Sequence, residues 1–429
     1  MQNNNTIQVY EYGWLVVDEI YGPKKDVVFR KQHFELLAKY LTENNGCQYY
    51  SIYLNRIRFA NYVGVIKVKD LVIEVLPKTD RNDADEATWQ RVLLQMLKIS
   101  LEVKAKTTTH ADIVLRNHSV LETYLYLFLK ETETLLHHGL IKKYRTNISN
   151  QTSLKGKLLI DRHVSKNLVH AERFYVAHQI YDRDNIYNAI LQEALFCILS
   201  LTVSDGITKF CNKLLLTYPE CNTIRVSEKI FSSLAYDRKT ERYRTAIELA
   251  RIILLNYHPD IKGGKNNILA IMFDMNLLWE NFIYKTLASA RNEPTIRCEV
   301  LPQRSAAFWK SPYSWTLHLI PDLIVKRRDG EIYVVDTEWK YRSDTSPEDI
   351  RQLYSYGNYF GAAKRYLLYP DKIEADKKVE KKEGSFYDPN SKEISKHQKC
   401  GLLFVDLLNP DNTLNTGIGA AVLEEIFKP

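Results

Sequence analysis

Three regimes of hydrophobic patterning follow one another along the chain. Up to about residue 78, short β-branched runs dominate. Val63-Gly64-Val65-Ile66-Lys67-Val68 and Leu71-Val72-Ile73-Glu74-Val75-Leu76, separated by Lys69-Asp70, predict a β-hairpin, and a helix is expected from Phe34 to Thr42. Further on, apolar residues recur at three and four positions, as in Val92, Leu93, Met96 and Leu97 and again in Leu121, Tyr124, Leu125, Phe128 and Leu129, the spacing of amphipathic helices. The last regime mixes helices at 276–289 and 347–360 with strands at 317–326, 331–340, 365–369 and 402–407, which suggests an α/β sheet domain. Residues 371–399, rich in Lys and Glu and without apolar periodicity, read as a long solvated loop or hairpin before the last strand.

Two polar, turn-rich breaks, Pro77 to Asp85 and His258 to Asn267, separate the regimes. The fold class expected is therefore α+β and multidomain: a small β-rich domain at 1–80, a mainly helical domain at 81–260 and an α/β domain at 261–429. The length of 429 residues fits, at roughly 150 residues per domain. No internal repeat is visible.

Composition narrows the class. Hydrophobic residues at 45% and charged ones at 26% exclude wholesale disorder, collagen-like structure and a membrane-span-rich chain. The start, Met1 to Thr6, has no basic or apolar signal region, and the longest apolar stretch, Ala194 to Val203, is about half a bilayer span, so neither export nor membrane anchoring is expected. Six scattered cysteines without a C-x-x-C pair read as reduced thiols of a cytoplasmic protein. The net charge of +7 is mild, yet between Ile141 and Arg173 eight basic residues face two acids. Such a stretch suits a phosphate backbone or an acidic protein surface, or is simply a solvated face.

Much chemistry is excluded by spacing. Gly263-Gly264-Lys265-Asn266 lacks the upstream glycine and the hydroxyl of a phosphate-cradling loop. Serine nucleophile elbows and H-E-x-x-H are absent, and the eleven histidines do not cluster at metal-ligand spacing. What remains is Ile320 to Lys340, where two β-branched runs flank Asp329-Gly330 and each carries a carboxylate at the end away from the turn. Strand alternation puts Asp336, Glu338 and Lys340 on one face at roughly 7 Å intervals and turns Trp339 toward the core. A two-residue turn would oppose Asp322 to Thr337, whereas a three-residue turn with Gly330 left-handed opposes Asp322 to Asp336. Only the second makes a site. Two opposed carboxylates would hold Mg²⁺, a hard cation that prefers oxygen ligands, and a lysine on the same face could orient water or offset developing charge.

These residues resemble a known family. Pro321-Asp322 followed by an acid-x-lysine strand is similar to the PD-(D/E)xK nuclease fold, and Val335-Asp336-Thr337-Glu338-Trp339-Lys340 resembles the D-T-K-W-K strand of McrC, the nuclease subunit of McrBC restriction systems. Gln352-Leu353-Tyr354-Ser355-Tyr356-Gly357 with Leu367-Leu368-Tyr369-Pro370 resemble that family's Q-x-x-x-Y helix and following strand. Leu278-Trp279-Glu280-Asn281-Phe282 resembles its first nuclease helix. Val63 to Ile66 with Leu76-Pro77-Lys78, Leu154-Lys155-Gly156-Lys157-Leu158, and Asp184-Asn185 with Asn188 resemble its N-terminal and middle regions. The resemblance covers most of the chain.

It implies a Mg²⁺-dependent endonuclease acting on double-stranded DNA, a subunit of a bacterial defence system, with Asp322 and Asp336 as metal ligands, Glu280 assisting, and Glu338 or Lys340 completing the catalytic set. It also implies a separate McrB-like AAA+ GTPase ring, engaged and stimulated by the N-terminal part. Gln352 and Tyr356, one helical turn apart, are candidates for DNA phosphates, as are Lys155, Lys157 and Arg162 in the basic stretch, which could instead dock the ring. Where the family places its catalytic lysine, two residues after the aspartate, this chain has Glu338. Either Glu338-Trp339-Lys340 serves as a shifted E-x-K, or Glu338 adds a ligand, or the site is inactive and the chain is a non-catalytic regulator that activates the ring.

Overall fold

The structure is a computed structural model that describes residues 5–21, 27–43, 48–77, 86–100, 120–201, 204–258, 268–293, 296–340, 345–373, 377–387 and 394–428. The turn-rich breaks at 78–85 and 259–267 lie outside them. The chain forms two compact units that interleave along the sequence: one comprises 5–66, 71–120 and 272–429, the other 67–70 and 121–271. Sequence patterning divides the chain into three consecutive segments instead, because hydrophobic periodicity reports on neighbours within an element and not on which elements pack together.

The first unit is built on a six-stranded mixed sheet in the order Cys298–Pro302, Leu323–Arg327, Ile332–Thr337, Lys364–Pro370, Ile394–Val405, Glu380–Tyr387. Helix Pro347–Tyr359 connects Ile332–Thr337 to the parallel strand Lys364–Pro370. Its capping box is explicit: Ser346 Oγ accepts from the Asp349 N–H and the Asp349 carboxylate accepts from the Ser346 N–H, each at 3.2 Å, with Pro347 in the first turn. Ile324, Val334, Leu353, Tyr356, Leu367, Tyr369 and Phe404 form one core between this helix and the sheet. Helix Met275–Ala290 starts at Asp274, whose carboxylate accepts from the Asn276 and Leu277 N–H groups, and buries Trp279, Phe282, Ile283 and Leu287. Against it lies helix Ile418–Ile426, where a side chain at Gly419 would meet the Thr286 carbonyl at 2.2 Å, so only glycine lets the two backbones approach.

The same unit holds much of the N-terminal region. Thr6–Tyr10 pairs in parallel with Leu71–Leu76, Trp14–Val16 joins Arg56–Phe59 and Tyr50–Tyr53 in an antiparallel sheet, and helix Lys31–Glu43 is present as expected. The Lys69 turn after Tyr62–Val68 is left-handed at φ 53°. Buried Glu74 accepts from Gln8 and Gln90 side chains at 2.9 Å and from the Val120 N–H at 2.7 Å, a bond to the first N–H of helix Val120–His137.

The second unit is rich in helices, among them Ile186–Ser200, Asp205–Thr217 and Arg244–Leu255, in line with the mainly helical character expected of 81–260, but it also contains a sheet that this reading lacked. Lys143–Gln151 pairs along its whole length with Phe174–Asp182, and Lys157–Leu158 adds a short third strand. Side chains of Lys143–Gln151 alternate strictly between half-buried and exposed. The alternation is there in the sequence, Tyr144, Thr146 and Ile148 taking turns with Arg145, Asn147 and Ser149, but the more apolar side is the exposed one and the half-buried side is polar, so it does not read as a strand facing a core.

Two expected strands are shorter. The span 317–326 is interrupted between Thr316–Leu319 and Leu323–Arg327 at Ile320-Pro321-Asp322, where proline has no N–H for a ladder. The polar stretch 371–399 resolves in favour of a hairpin, Glu380–Tyr387 pairing with Ile394–Val405.

Candidate active site

The turn of the Leu323–Thr337 hairpin has three residues. The Arg327 N–H donates to the Glu331 carbonyl at 2.9 Å and the Gly330 N–H to the Arg327 carbonyl at 3.1 Å, with Gly330 at φ 91°. The register is Leu323 to Val335, Ile324 to Val334, Val325 to Tyr333 and Lys326 to Ile332, and one step further it sets Asp322 opposite Asp336. The Asp322 N–H donates to Asp336 Oδ1 at 3.2 Å. Thr337 fixes the Asp322 carboxylate, whose Oδ2 accepts from its N–H at 2.7 Å and its hydroxyl at 2.8 Å. Each aspartate thus receives these bonds on one oxygen.

Electrostatics mark the place as uncomfortable for bare carboxylates. Burial drives Asp336 well above the ordinary carboxylate range, and the Asp322, Glu338 and Glu280 carboxylates push it further. Burial also raises Asp322, against the two Thr337 bonds. Glu280, half-buried on its helix, is pushed up to about 7 by burial and by Asp322, while a hydrogen bond from Gln303 works the other way. Glu338 is raised by burial in spite of its bond to Lys340.

Lys340 does not join Asp336 on a common strand face. The strand ends at Thr337, although the Glu338 N–H still donates to the Leu368 carbonyl at 3.0 Å. Lys340 Nζ lies 3.0 Å from Glu338 and 3.0 Å from Asp349. Burial would lower its pKa, but those two carboxylates outweigh it and hold it raised. Asp349 therefore both caps a helix and neutralises the lysine, a double role whose only sequence signal is the S-x-x-D cap at Ser346. Gln303 and Thr337 are the other participants the sequence reading did not single out, and neither carries a recognisable motif.

Glu280 stands beside Asp322, held by Gln303, but it does not close with the aspartates into a ready-made cage: among the described residues no three His, Cys, Asp or Glu side chains form a metal-ligand group. The donor set nevertheless fits Mg²⁺, which binds through one or two carboxylates, keeps several waters and takes further oxygens from phosphate. It suits zinc less well, since zinc sites draw mainly on His nitrogen and Cys sulfur. The five described cysteines are unbridged.

The remaining candidates separate. Gln352 is exposed, and its amide donates to the Tyr356 hydroxyl. Tyr356, read as a candidate either for a DNA phosphate or for core packing, has a buried ring and donates to the Ile320 carbonyl at 3.0 Å, so it braces the run leading into Asp322. Trp339 is buried as expected; it packs edge-on against Trp279 at 5.6 Å and donates to Glu11 at 2.7 Å. Lys155, Lys157 and Arg162 are exposed and belong to the other compact unit, on and beside its short third strand. Among the described residues no helix is long and apolar enough to cross a membrane.

Comparison with known proteins adds three findings. Residues 57–370 match the family model described as McrBC 5-methylcytosine restriction system component. The chain is similar to a solved structure of Thermococcus gammatolerans McrB AAA+ hexamers with bound McrC, a half-complex of a tetradecameric assembly, with TM-score 0.65 and 20% identity over 99% of this chain and 100% of that one. A cryo-EM structure of the Thermococcus gammatolerans McrBC complex matches with TM-score 0.46 and 22% identity over 67% of this chain and 88% of that one. No curated protein matches the sequence.

Proposed function

The chain belongs to the McrBC family, and from that premise we propose that it is the McrC-type subunit of a restriction system: a Mg²⁺-dependent DNA endonuclease of PD-(D/E)xK type that works with an AAA+ ring. The observation that carries this reading is the register of the Leu323–Thr337 hairpin. It opposes Asp322 to Asp336 in a buried place where Glu280 and Glu338 raise the electrostatic cost further. Like charges buried side by side are costly unless a cation compensates them.

Asp322 and Asp336 would hold the Mg²⁺, each through the oxygen not engaged in the hairpin bonds, with Glu280 close by. When bound there, the ion supplies Lewis-acid polarisation of a phosphodiester and a water of lowered pKa. Thr337 keeps the Asp322 carboxylate in one orientation. Glu280, whose carboxyl is raised by burial and by the Asp322 charge, lies close enough to Asp322 to be drawn toward its ionised form by a cation bound there. Lys340, held between Glu338 and Asp349, presents a positive charge at the edge of the acid group.

The partner follows from the relatives. McrC of Thermococcus gammatolerans is bound to McrB AAA+ hexamers, and the same kind of ring, hydrolysing GTP in response to this subunit, is proposed here, together with double-stranded DNA as substrate and the cytoplasm as the place of action.

A second reading has an observation of its own. Glu338 stands where the family has its lysine, and Lys340 is committed to two carboxylates, which favours a non-catalytic regulator that activates the ring. The test is plasmid cleavage by the chain with its ring, nucleotide and Mg²⁺, beside an Asp322→Ala/Asp336→Ala variant, with nucleotide hydrolysis measured in parallel. Cutting that disappears in the variant while hydrolysis stays stimulated supports the nuclease. Stimulated hydrolysis without cutting in either sample hands the site to the regulator reading.

A further inference from the structure

Between Pro302 and Asp322 the chain leaves the main sheet and returns as a separate two-stranded ribbon, Ala306–Lys310 paired with Thr316–Leu319 and hydrogen-bonded to no other strand. Both strands are exposed almost throughout. Large aromatic rings stand in solvent on it: Trp309 is 47% exposed, Trp315 53% and Tyr313, at the turn, 85%. Trp309 and Trp315 touch edge-to-face at 5.2 Å, so they form one ridge. A register irregularity between Ala307 and Trp309 re-aims the side chains there, as bulges near functional sites do.

The base of the ribbon is tied to the acid site. The Gln303 N–H donates to the Asp322 carbonyl at 2.8 Å, and the Tyr356 hydroxyl holds the Ile320 carbonyl at 3.0 Å. Phe308 packs against Tyr359, whose hydroxyl donates to the Ala307 carbonyl at 2.6 Å. The foot of the ribbon therefore adjoins Asp322, and its Trp309–Trp315 ridge stands six to seven residues further along the two strands. Its charge is one-sided: from Gln303 to Ile320 there is no acidic residue, while Arg304 and Lys310 are basic.

We propose that this ribbon is a DNA-stacking finger, its Trp309–Trp315 ridge and Tyr313 engaging bases of the same duplex that the acid site holds, away from the phosphodiester there. The proposal rests on the DNA-cleaving reading above. Aromatic faces stack on any base and so grip DNA without demanding a sequence, and apolar wedges pushed between base steps open the duplex locally. The acid-free, cationic edge favours a polyanion over a second protein surface. Exposed tryptophans on a ribbon with no core of its own contribute little to folding, so their presence calls for a partner.

The test uses the full-length chain carrying Asp322→Asn and Asp336→Asn, so that cutting does not interfere, and a fluorescein-labelled DNA duplex. Binding is read by anisotropy and by quenching of tryptophan emission. Trp309→Ala/Trp315→Ala should weaken binding about tenfold, the loss typical of one stacked base, and Trp309→Phe/Trp315→Phe, which keeps the π-faces, should restore most of it. Three results would overturn the proposal: no duplex binding by the chain, equal affinity of the alanine variant with a native circular dichroism spectrum, or equal affinity combined with loss of self-association, which would assign the ridge to a second copy. The two readings fail separately. A wild-type chain that never cuts with its ring, yet binds DNA through the ridge, sinks cleavage alone; ridge variants that bind and cut like wild type sink the finger alone.

Discussion

The acid hairpin Leu323–Thr337 and the polar ribbon formed by Lys143–Gln151 and Phe174–Asp182 are both antiparallel pairs, but they handle charge in opposite ways. The first buries like charges: Asp336 is 4% exposed and opposite Asp322. The second keeps its charges in water and pairs some of them, as where Arg145 meets Asp182 at 2.9 Å and Asp184 at 3.3 Å. Burying a charge costs several kcal/mol unless something compensates it, whereas exposing one costs nothing, so buried acids signal a function far more strongly than exposed bases do. The opposed aspartates therefore carry the functional reading, and Lys155, Lys157 and Arg162 carry little of it.

Breaking the acid pair should have the largest effect. Asp322→Asn with Asp336→Asn should lower cleavage by at least about a hundredfold, and Mg²⁺ should raise the melting temperature of the native chain but not that of the variant. The second readout needs no ring and no DNA. A variant that still melts higher with Mg²⁺ would place the metal elsewhere.

The ribbon should respond in stability rather than in chemistry. The chain enters and leaves it at one end, where the Asn188 side-chain amide donates to the Ile141 carbonyl at 3.0 Å and the Arg183 carbonyl at 2.7 Å, while its oxygen accepts from the Tyr243 hydroxyl at 3.0 Å. Asn188→Ala leaves these buried groups unpaired and should cost roughly 2–4 kcal/mol in urea unfolding. Gly156 has φ 77°, and a side chain there would meet the Ala177 carbonyl at 2.4 Å. Gly156→Ala should cost about 1–3 kcal/mol by the same measurement. If either variant unfolds like wild type, the ribbon is not the cooperative part of its unit that these contacts imply.

The smallest structural effect is expected from Lys155→Gln/Lys157→Gln/Arg162→Gln. Stability should stay within about 0.5 kcal/mol of wild type. If this face tracks DNA, the slope of log affinity against log salt should become shallower by roughly 3. An unchanged slope would leave the three cations to a protein surface or to solvation alone.

Legibility in the sequence follows the same division. The acid hairpin could be read because Asp329-Gly330 marks the turn and β-branched runs flank it, and a turn of three residues settles which acids face each other. The helices could be read because their large apolar residues recur at three and four positions. The polar ribbon could not, since its half-buried side is polar and Tyr144 and Ile148 stand on the exposed one. Nor was the interleaving of the two units visible, because the elements that share a unit lie far apart in the chain.

What the sequence by itself determined is local: the hairpin turn at Asp329-Gly330, the narrowing of Asp322's partner to Asp336 or Thr337, the helical periodicity and the absence of a nucleotide-binding loop. Each depends on a few adjacent residues and on the periods of strand and helix. Only the tertiary structure decided that Lys340 turns to Glu338 and Asp349, that Gln303 holds Glu280 beside Asp322, that Tyr356 braces Ile320 from within the core, and that the 306–319 ribbon stands exposed next to the acids. Those pairings join separate elements, and their outcome is set by which surfaces pack and which charges are thereby buried, a competition that no short window of sequence contains.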